Sequence, residues 1–265
     1  MSIAGRALVV KTGPGVADEA AGLRQLGAAH GPGGPASAEA GPGGPTGPAS
    51  PTGPASPASQ TAWPPVPEVA LAEGDLLVED WVDQAGRSHA HEEQLGESLA
   101  ALHAAGWTTW GGGSGWIGPC QVDPAEAPSA ASFYGRRLAD LAGRCGLGAS
   151  IQRVVERLDQ LIPPCSPSLV HGDLWWGNVL WGADGRAWLI DPSVHGGHPE
   201  EDLAMLALFG PFPRRVLDSY AEHGPLADGW RERVSLFQLY PLLVHAVAFG
   251  GGYGAQAEAI ARRFA

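Results

Sequence analysis

Apolar and polar positions follow two rhythms in this chain, and the rhythm changes along its length. Near the start, Arg6–Lys11 (R-A-L-V-V-K) is a short apolar run closed by a lysine, which predicts a β-strand. After a turn at Gly13–Pro14–Gly15, Glu19, Leu23 and Leu26 recur at helical spacing. Glu68–Leu71 and Asp75–Glu79 predict two more strands around a Glu-Gly turn. Beyond residue 90 the helical period takes over. Glu92–Ala105 carries Leu95, Leu99 and Leu102 on one stripe, and His103 at its end reads as a packed or capping histidine. Ile151–Ile162 turns Val154, Val155, Leu158 and Leu161 inward and is stopped by Pro163 and Pro164. Further helices are predicted over Glu200–Phe209 and around 213–223, 230–248 and 255–264. Val179–Trp181 and Ala187–Ile190 return to the strand pattern, and Ala183–Asp184–Gly185 between them predicts a β-hairpin.

Composition changes this picture in one place. From His30 to about Pro67 the chain is dominated by Gly, Pro, Ala and Ser and repeats T-G-P-A-S-P at 46–51 and 52–57. Such a segment buries too little apolar surface to repay its ordering, so disorder or loose polyproline II structure is expected, as a tolerated insertion. Strict Gly-X-Y periodicity fails, which excludes collagen. The formal net charge of −12 argues against a nucleic-acid partner. Cys120, Cys145 and Cys165 are far apart and form no C-x-x-C pair, as suits a reducing compartment. With neither a signal-peptide apolar region nor a membrane-length apolar run, a soluble cytoplasmic protein without membrane contact is expected.

The candidate chemistry concentrates in Leu169–Ser193, L-V-H-G-D-L-W-W-G-N-V-L-W-G-A-D-G-R-A-W-L-I-D-P-S. His171, Asp173 and Asn178 precede the first hairpin strand and Asp191 follows the second, so a hairpin would bring their side chains together. One carboxylate to deprotonate an acceptor hydroxyl, with an Asn and a second carboxylate on Mg²⁺, is the oxygen-rich set that phosphoryl transfer needs. Asp173 is the candidate base; Asn178 and Asp191 are the candidate catalytic metal ligands. The protein-kinase order H-R-D-L-x-x-x-N followed by D-F-G is matched, with departures at Gly172 and Pro192. The run G-G-G-S-G-W-I-G (111–118) lacks the preceding strand and following Lys-Ser/Thr of a phosphate loop.

The stretch H-G-D-L-W-W-G-N-V-L-W, then L-I-D-P-S-V-H-G-G-H-P-E-E-D-L-A-M-L-A-L-F-G, resembles the fructosamine kinase (ketosamine-3-kinase) family. The likeness continues through L-F-Q-L-Y-P-L-L-V-H and F-G-G-G-Y and covers most of 68–265, with a short piece near the N-terminus. The resemblance implies an α+β, protein-kinase-like two-lobe fold: a small β-rich lobe over 1–82, interrupted by 30–67, and a helical lobe over 83–265. It implies ATP and Mg²⁺ as cofactors, with a ketosamine, free or on a glycated protein, as the phosphate acceptor. Lys11 and Glu19 match the strand lysine and helix glutamate that handle the nucleotide phosphates. Asp80–Val82 resembles the lobe-joining hinge, so backbone near Glu79–Trp81 is expected at the adenine. Trp175 stands where the family stacks the sugar beside Asp173, and Ile117–Pro119 resembles a substrate-side loop. Asp202 is expected to brace the catalytic loop; His245 and Gly250–Gly252 are cleft candidates. The family opens with a glycine-rich hairpin before the lysine, for which ten residues are too few. A truncated frame or incomplete nucleotide binding is therefore an expectation, and a non-catalytic pseudokinase an alternative. Another acceptor of the superfamily, an aminoglycoside or a choline-like alcohol, is the other alternative.

Overall fold

The computed structural model describes residues 2–3, 6–28, 63–224 and 226–265. Its first part is an antiparallel sheet of β1 (Ser2–Ile3), β2 (Arg6–Thr12), β3 (Val69–Glu73) and β4 (Leu76–Asp80), in the order β1-β2-β4-β3. In the β2–β4 register Lys11 stands opposite Leu77 and Val9 opposite Glu79. Helix α1 (Val16–Ala28) covers one face, where Val16, Ala20 and Leu23 bury against Leu77. Fully burying a side chain such as Leu23 contributes about 1.5–3 kcal/mol, so these apolar contacts help seat the helix.

Most of the expected Gly/Pro-rich segment lies outside the described residues, but its last part does not behave as a loose insertion. Pro64, Pro65 and Pro67 are buried, Trp63 and Val66 pack on the core, and Pro65 O accepts the Leu189 N–H at 2.9 Å. The expected boundary at 67 is corrected to before Trp63, because these residues carry apolar side chains that the hairpin region covers.

The second part is mainly helical. It contains α2 (His89–Ala104), hairpin strands β5 (Trp116–Ile117) and β6 (Cys120–Gln121), α3 (Ala130–Cys145), α4 (Ala149–Val155) and α5 (Leu158–Leu161). Then come β7 (Ser168–Val170), β8 (Val179–Trp181), β9 (Ala187–Leu189), β10 (His195–Gly197), α6 (Glu200–Leu206), α7 (Arg214–His223), α8 (Trp230–Phe237), α9 (Leu239–Phe249) and α10 (Tyr253–Phe264). One core gathers α3, α4, α8, α9 and α10; a second gathers α2, α7 and the β8–β9 hairpin. The helix expected over 151–162 is two, α4 and α5. The one expected over 230–248 divides at Gln238, where Pro241 has no N–H to give to the Phe237 carbonyl. Helix α3 lay outside the expected elements; Ser129 caps it, its hydroxyl accepting the Ser132 N–H at 3.1 Å.

Between β4 and α2 the linker lies along the tip of the β8–β9 hairpin. Ala85 N–H donates to Trp181 O (2.7 Å), Ala183 N–H donates to Asp83 O (2.8 Å), and Gln84 bridges to Gly182. No helix among the described residues is long and apolar enough to cross a membrane.

Candidate active site

The segment between β7 and β10 is tied at both ends. These strands pair antiparallel, with Val170 opposite His195 and Ser168 opposite Gly197. Within it, β8 and β9 pair Val179 with Leu189 and Trp181 with Ala187. Asn178, just before β8, is thereby set beside Asp191, just after β9, and Ile190 N–H donates to Asn178 O at 3.1 Å.

His171 and Asp202 lock the loop that carries Asp173. His171 is fully buried; its Nδ1 accepts the Asp173 N–H (3.2 Å), so its Nε2 holds the hydrogen and donates it to Ile190 O (3.0 Å). Burial holds this imidazole below the usual histidine range, in keeping with a neutral ring. Asp202, buried on α6, accepts the His171 N–H (2.7 Å) and the Gly172 N–H (2.9 Å) and meets His103 Nε2 at 3.1 Å. Burial alone would raise Asp202, but the His103 hydrogen bond and charge, helped by Gly172, hold it below the ordinary carboxylate range. His103 is completed by Tyr220 (Nδ1 to hydroxyl, 2.9 Å) and is packed, as the sequence suggests. Gly172 has φ +80°, and a Cβ there would stand 2.1 Å from Ser193 O. No larger residue fits where the kinase pattern has arginine.

Three carboxylates surround one ammonium here. Lys11 Nζ lies 2.6 Å from Glu19 and 2.8 Å from Glu79, and it also bonds Asp191. Burial opposes the Lys11 charge, but Asp191, Glu19 and Glu79 hold its pKa above the ordinary lysine range. Glu19 is pushed up to about 7 by burial and by Asp191, against the pull of Lys11. Asp173 is likewise pushed up to about 7, by withdrawal from water and by Asp191 and Asp202, against the Asn178 bond. Asn178 Nδ2 donates to Asp173 O (2.8 Å) and to Asp173 Oδ2 (3.1 Å). Glu79 Oε2 is buried without a hydrogen-bond partner. Asp191 is the only non-glycine residue with positive φ, +53°, among those described. The cluster is short of positive charge.

A cleft of about 430 Å³ opens over these groups. Lys11, Glu19, Asp173, Trp175, Asn178 and Asp191 line it, as do Trp116, the 117–119 loop and His245. Two positions expected near the adenine have defined surroundings of their own. The Glu79 side chain turns inward onto Lys11, from a position that the β2–β4 register sets opposite Val9. Trp81 does not line the cleft: its N–H donates to Ala7 O at 3.2 Å and its ring is half exposed. The sequence reading gave no role to Ser193, whose hydroxyl donates to Trp116 O (2.7 Å) and whose N–H donates to His171 O (2.8 Å). It also passed over the fact that Lys11 is the sole lysine in 265 residues, which a count would have shown.

A small sheet capped by one helix, a helical second part, and a lysine–carboxylate cleft between them define a kinase-like phosphotransferase. An aminoglycoside phosphotransferase shares this fold, with TM-score 0.56 at 18% identity over 100% of this chain and 89% of that one. The sequence profile described as fructosamine kinase matches residues 59–264, and the chain belongs to that family. A probable ketoamine kinase of Synechocystis sp. is 34% identical over 206 residues, 73% of this chain and 69% of the relative. The crystal structure of a candidate fructosamine-3-kinase from Thermobifida fusca is 36% identical with TM-score 0.77, covering 98% of this chain and 86% of that one. Membership of a kinase family implies ATP as the phosphoryl donor.

Proposed function

We propose that this chain transfers the γ-phosphoryl group of ATP to a sugar hydroxyl of a ketosamine, free or carried on a glycated protein. The observation that supports it most is the convergence of Asp173, Asn178, Asp191 and Lys11 in one cleft walled by Trp116 and Trp175. Asp173 is the base, taking the acceptor proton as the oxygen attacks the γ-phosphorus and ADP leaves. A carboxylate whose pKa lies near neutrality suits that task. Lys11, steadied by Glu19 and Glu79, sits where it would meet phosphate oxygens.

The donor set fits Mg²⁺. Asn178 spends both amide hydrogens on Asp173, which leaves its Oδ1 for a cation. Asp191 adds a carboxylate, and the excess of acid over ammonium favours a divalent ion. No group of three or more His, Cys, Asp or Glu among the described residues forms a metal site alone, so the nucleotide phosphates would complete the shell. When bound, the ion would neutralise charge between the β- and γ-phosphates. The half-exposed face of Trp175 beside Asp173 offers a flat apolar surface to the C–H side of a sugar ring.

The test is ADP release from MgATP with and without a fructosamine or ribulosamine, with aminoglycoside and choline arms. Asp173→Asn should leave the fold intact and cut ketosamine-dependent turnover by about 10²–10⁴-fold, the usual contribution of a general base. Near wild-type turnover in that variant removes Asp173 from the role. Turnover only in the aminoglycoside or choline arm moves the acceptor elsewhere in the superfamily.

A further inference from the structure

The run Gly111–Gly115 is sewn to the segment that follows Asp191. Gly111 and Gly196 exchange backbone hydrogen bonds (2.8 and 3.0 Å), and Ser114 N–H donates to Val194 O (2.8 Å). The approach at Gly113 is so close that a Cβ would stand 1.8 Å from Val194 O. On its other side the loop meets α1. Gly115 N–H donates to Asp18 Oδ2 at 2.8 Å. The Ser114 hydroxyl lies 3.3 Å from the same oxygen, but its single hydrogen has a shorter partner in Trp116 O at 2.8 Å.

Two more approaches lie on the same side of the helix. A Cβ on Gly15 would stand 3.1 Å from Trp116, and one on Gly22 would stand 3.1 Å from both Pro192 and Val194. Asp18 and Gly22 are i, i+4 neighbours on one face of α1, and Gly15 lies at the turn that enters it. Glu19, one position on from Asp18, faces Lys11. The contacts form a ring: Lys11 to Glu19, along α1 to Asp18, across to Gly115, through the loop to Val194, and back by Asp191 to Lys11. Apolar packing of α1 on the sheet is non-directional and tolerates sliding and rotation. The carboxylate–amide bond at Asp18 is directional.

We propose that Asp18 is a positioning residue whose bond to the Gly111–Gly115 loop fixes the rotation of α1, so that Lys11, Glu19 and Asp191 are assembled before the nucleotide arrives. The glycine run is thus an adapter between α1 and the segment after Asp191. Only the kinetic arm of its test rests on the phosphotransfer reading.

Because Lys11 is the sole lysine, amine acetylation followed by peptide mass spectrometry reads this one side chain and the terminal amine, with no nucleotide present. Asp18→Ala should label Lys11 several-fold faster than wild type and raise the KM for ATP by about tenfold, the scale of one lost charge-assisted bond, with a smaller change in kcat. Asp18→Asn keeps an oxygen to accept the Gly115 N–H and should stay near wild type in both. Should Asp18→Ala not fold, Gly113→Ala, which displaces the far seam of the loop, should give the same faster labelling. Unchanged Lys11 labelling in a folded Asp18→Ala, or Asp18→Asn behaving like alanine, overturns the proposal. If no acceptor is turned over at all, the phosphotransfer reading fails while the labelling arm still decides this one.

Discussion

The two sides of the cleft are held by different physics. On the hairpin side, Asp173 and Asp191 are placed by backbone hydrogen bonds, by a neutral buried His171 and by Asp202, which is itself hydrogen-bonded on both oxygens. On the sheet side, one lysine is held almost wholly by charge, among Glu19, Glu79 and Asp191, with one carboxylate oxygen unpartnered. The first side is rigid because the groups that carry its loop, His171, Asp202 and the Asp173 N–H, each have a specific partner. The second is poised, since one ammonium cannot satisfy three carboxylates, and another cation or donor would be welcomed.

This contrast can be broken from the hairpin side first. Asp202→Ala would strip two loop N–H groups and His103 of their acceptor, and should cost about 3 kcal/mol or more of unfolding free energy, read by chemical denaturation. A loss below about 1 kcal/mol would mean that the loop is not braced there. Next comes acid. His198 is buried, stacks on Phe237 at 4.9 Å, and is held down to about 4 by burial, against the charge of Glu201. Its folded pKa is depressed below the ordinary value of 6.5, so the unfolded chain takes up the proton first. The resulting penalty is absent above about pH 6.5, grows as pH falls, and is complete near pH 4, at about 3 kcal/mol. His198→Asn should flatten stability against pH across that window; an unchanged slope would assign the acid sensitivity to other groups.

On the sheet side the effects should be kinetic. Lys11→Met removes the ammonium from three carboxylates and should raise the KM for ATP by about 10–100-fold, or about 1.4–2.7 kcal/mol. Unchanged ATP kinetics would take Lys11 out of the site. Trp175→Ala should do least. Its ring is 39% exposed, so unfolding free energy should move by no more than about 0.5 kcal/mol, while the KM for the sugar acceptor rises. A rise in the KM for ATP instead would place the ring on the nucleotide side.

Sequence made the hairpin side legible because its geometry is local. The Asp-Gly tip and the spacing from Asn178 to Asp191 bring those residues together once the two strands pair. Lys11 and Glu19 were legible for a similar reason, being joined by one strand, one turn and one helix. Glu79 was not, because its inward side chain depends on pairing β4 with β2 across nearly seventy residues of chain. The Trp81 N–H bond to Ala7 O depends on the same long-range pairing. Helix α3 was lost because Gly135 and Gly143 weaken it and its inward face includes a charge. Arg137 is 1% exposed, stacked on Phe133 at 4.3 Å and 3.2 Å from His195 Nε2, where a periodic reading would put it in water.

The linker bonded to the hairpin tip has a mechanical consequence. Since residues 83–85 are fastened to 181–183, they travel with the helical part as one lever, and any swing of the sheet must be taken up by the backbone just before Asp83. On this connection the pivot is then confined to Trp81 and Val82, while the chain before β3 is tied separately where Pro65 O holds the Leu189 N–H. A stiff bond there, such as a proline, would lock the angle of the jaws without touching a side chain in the cleft.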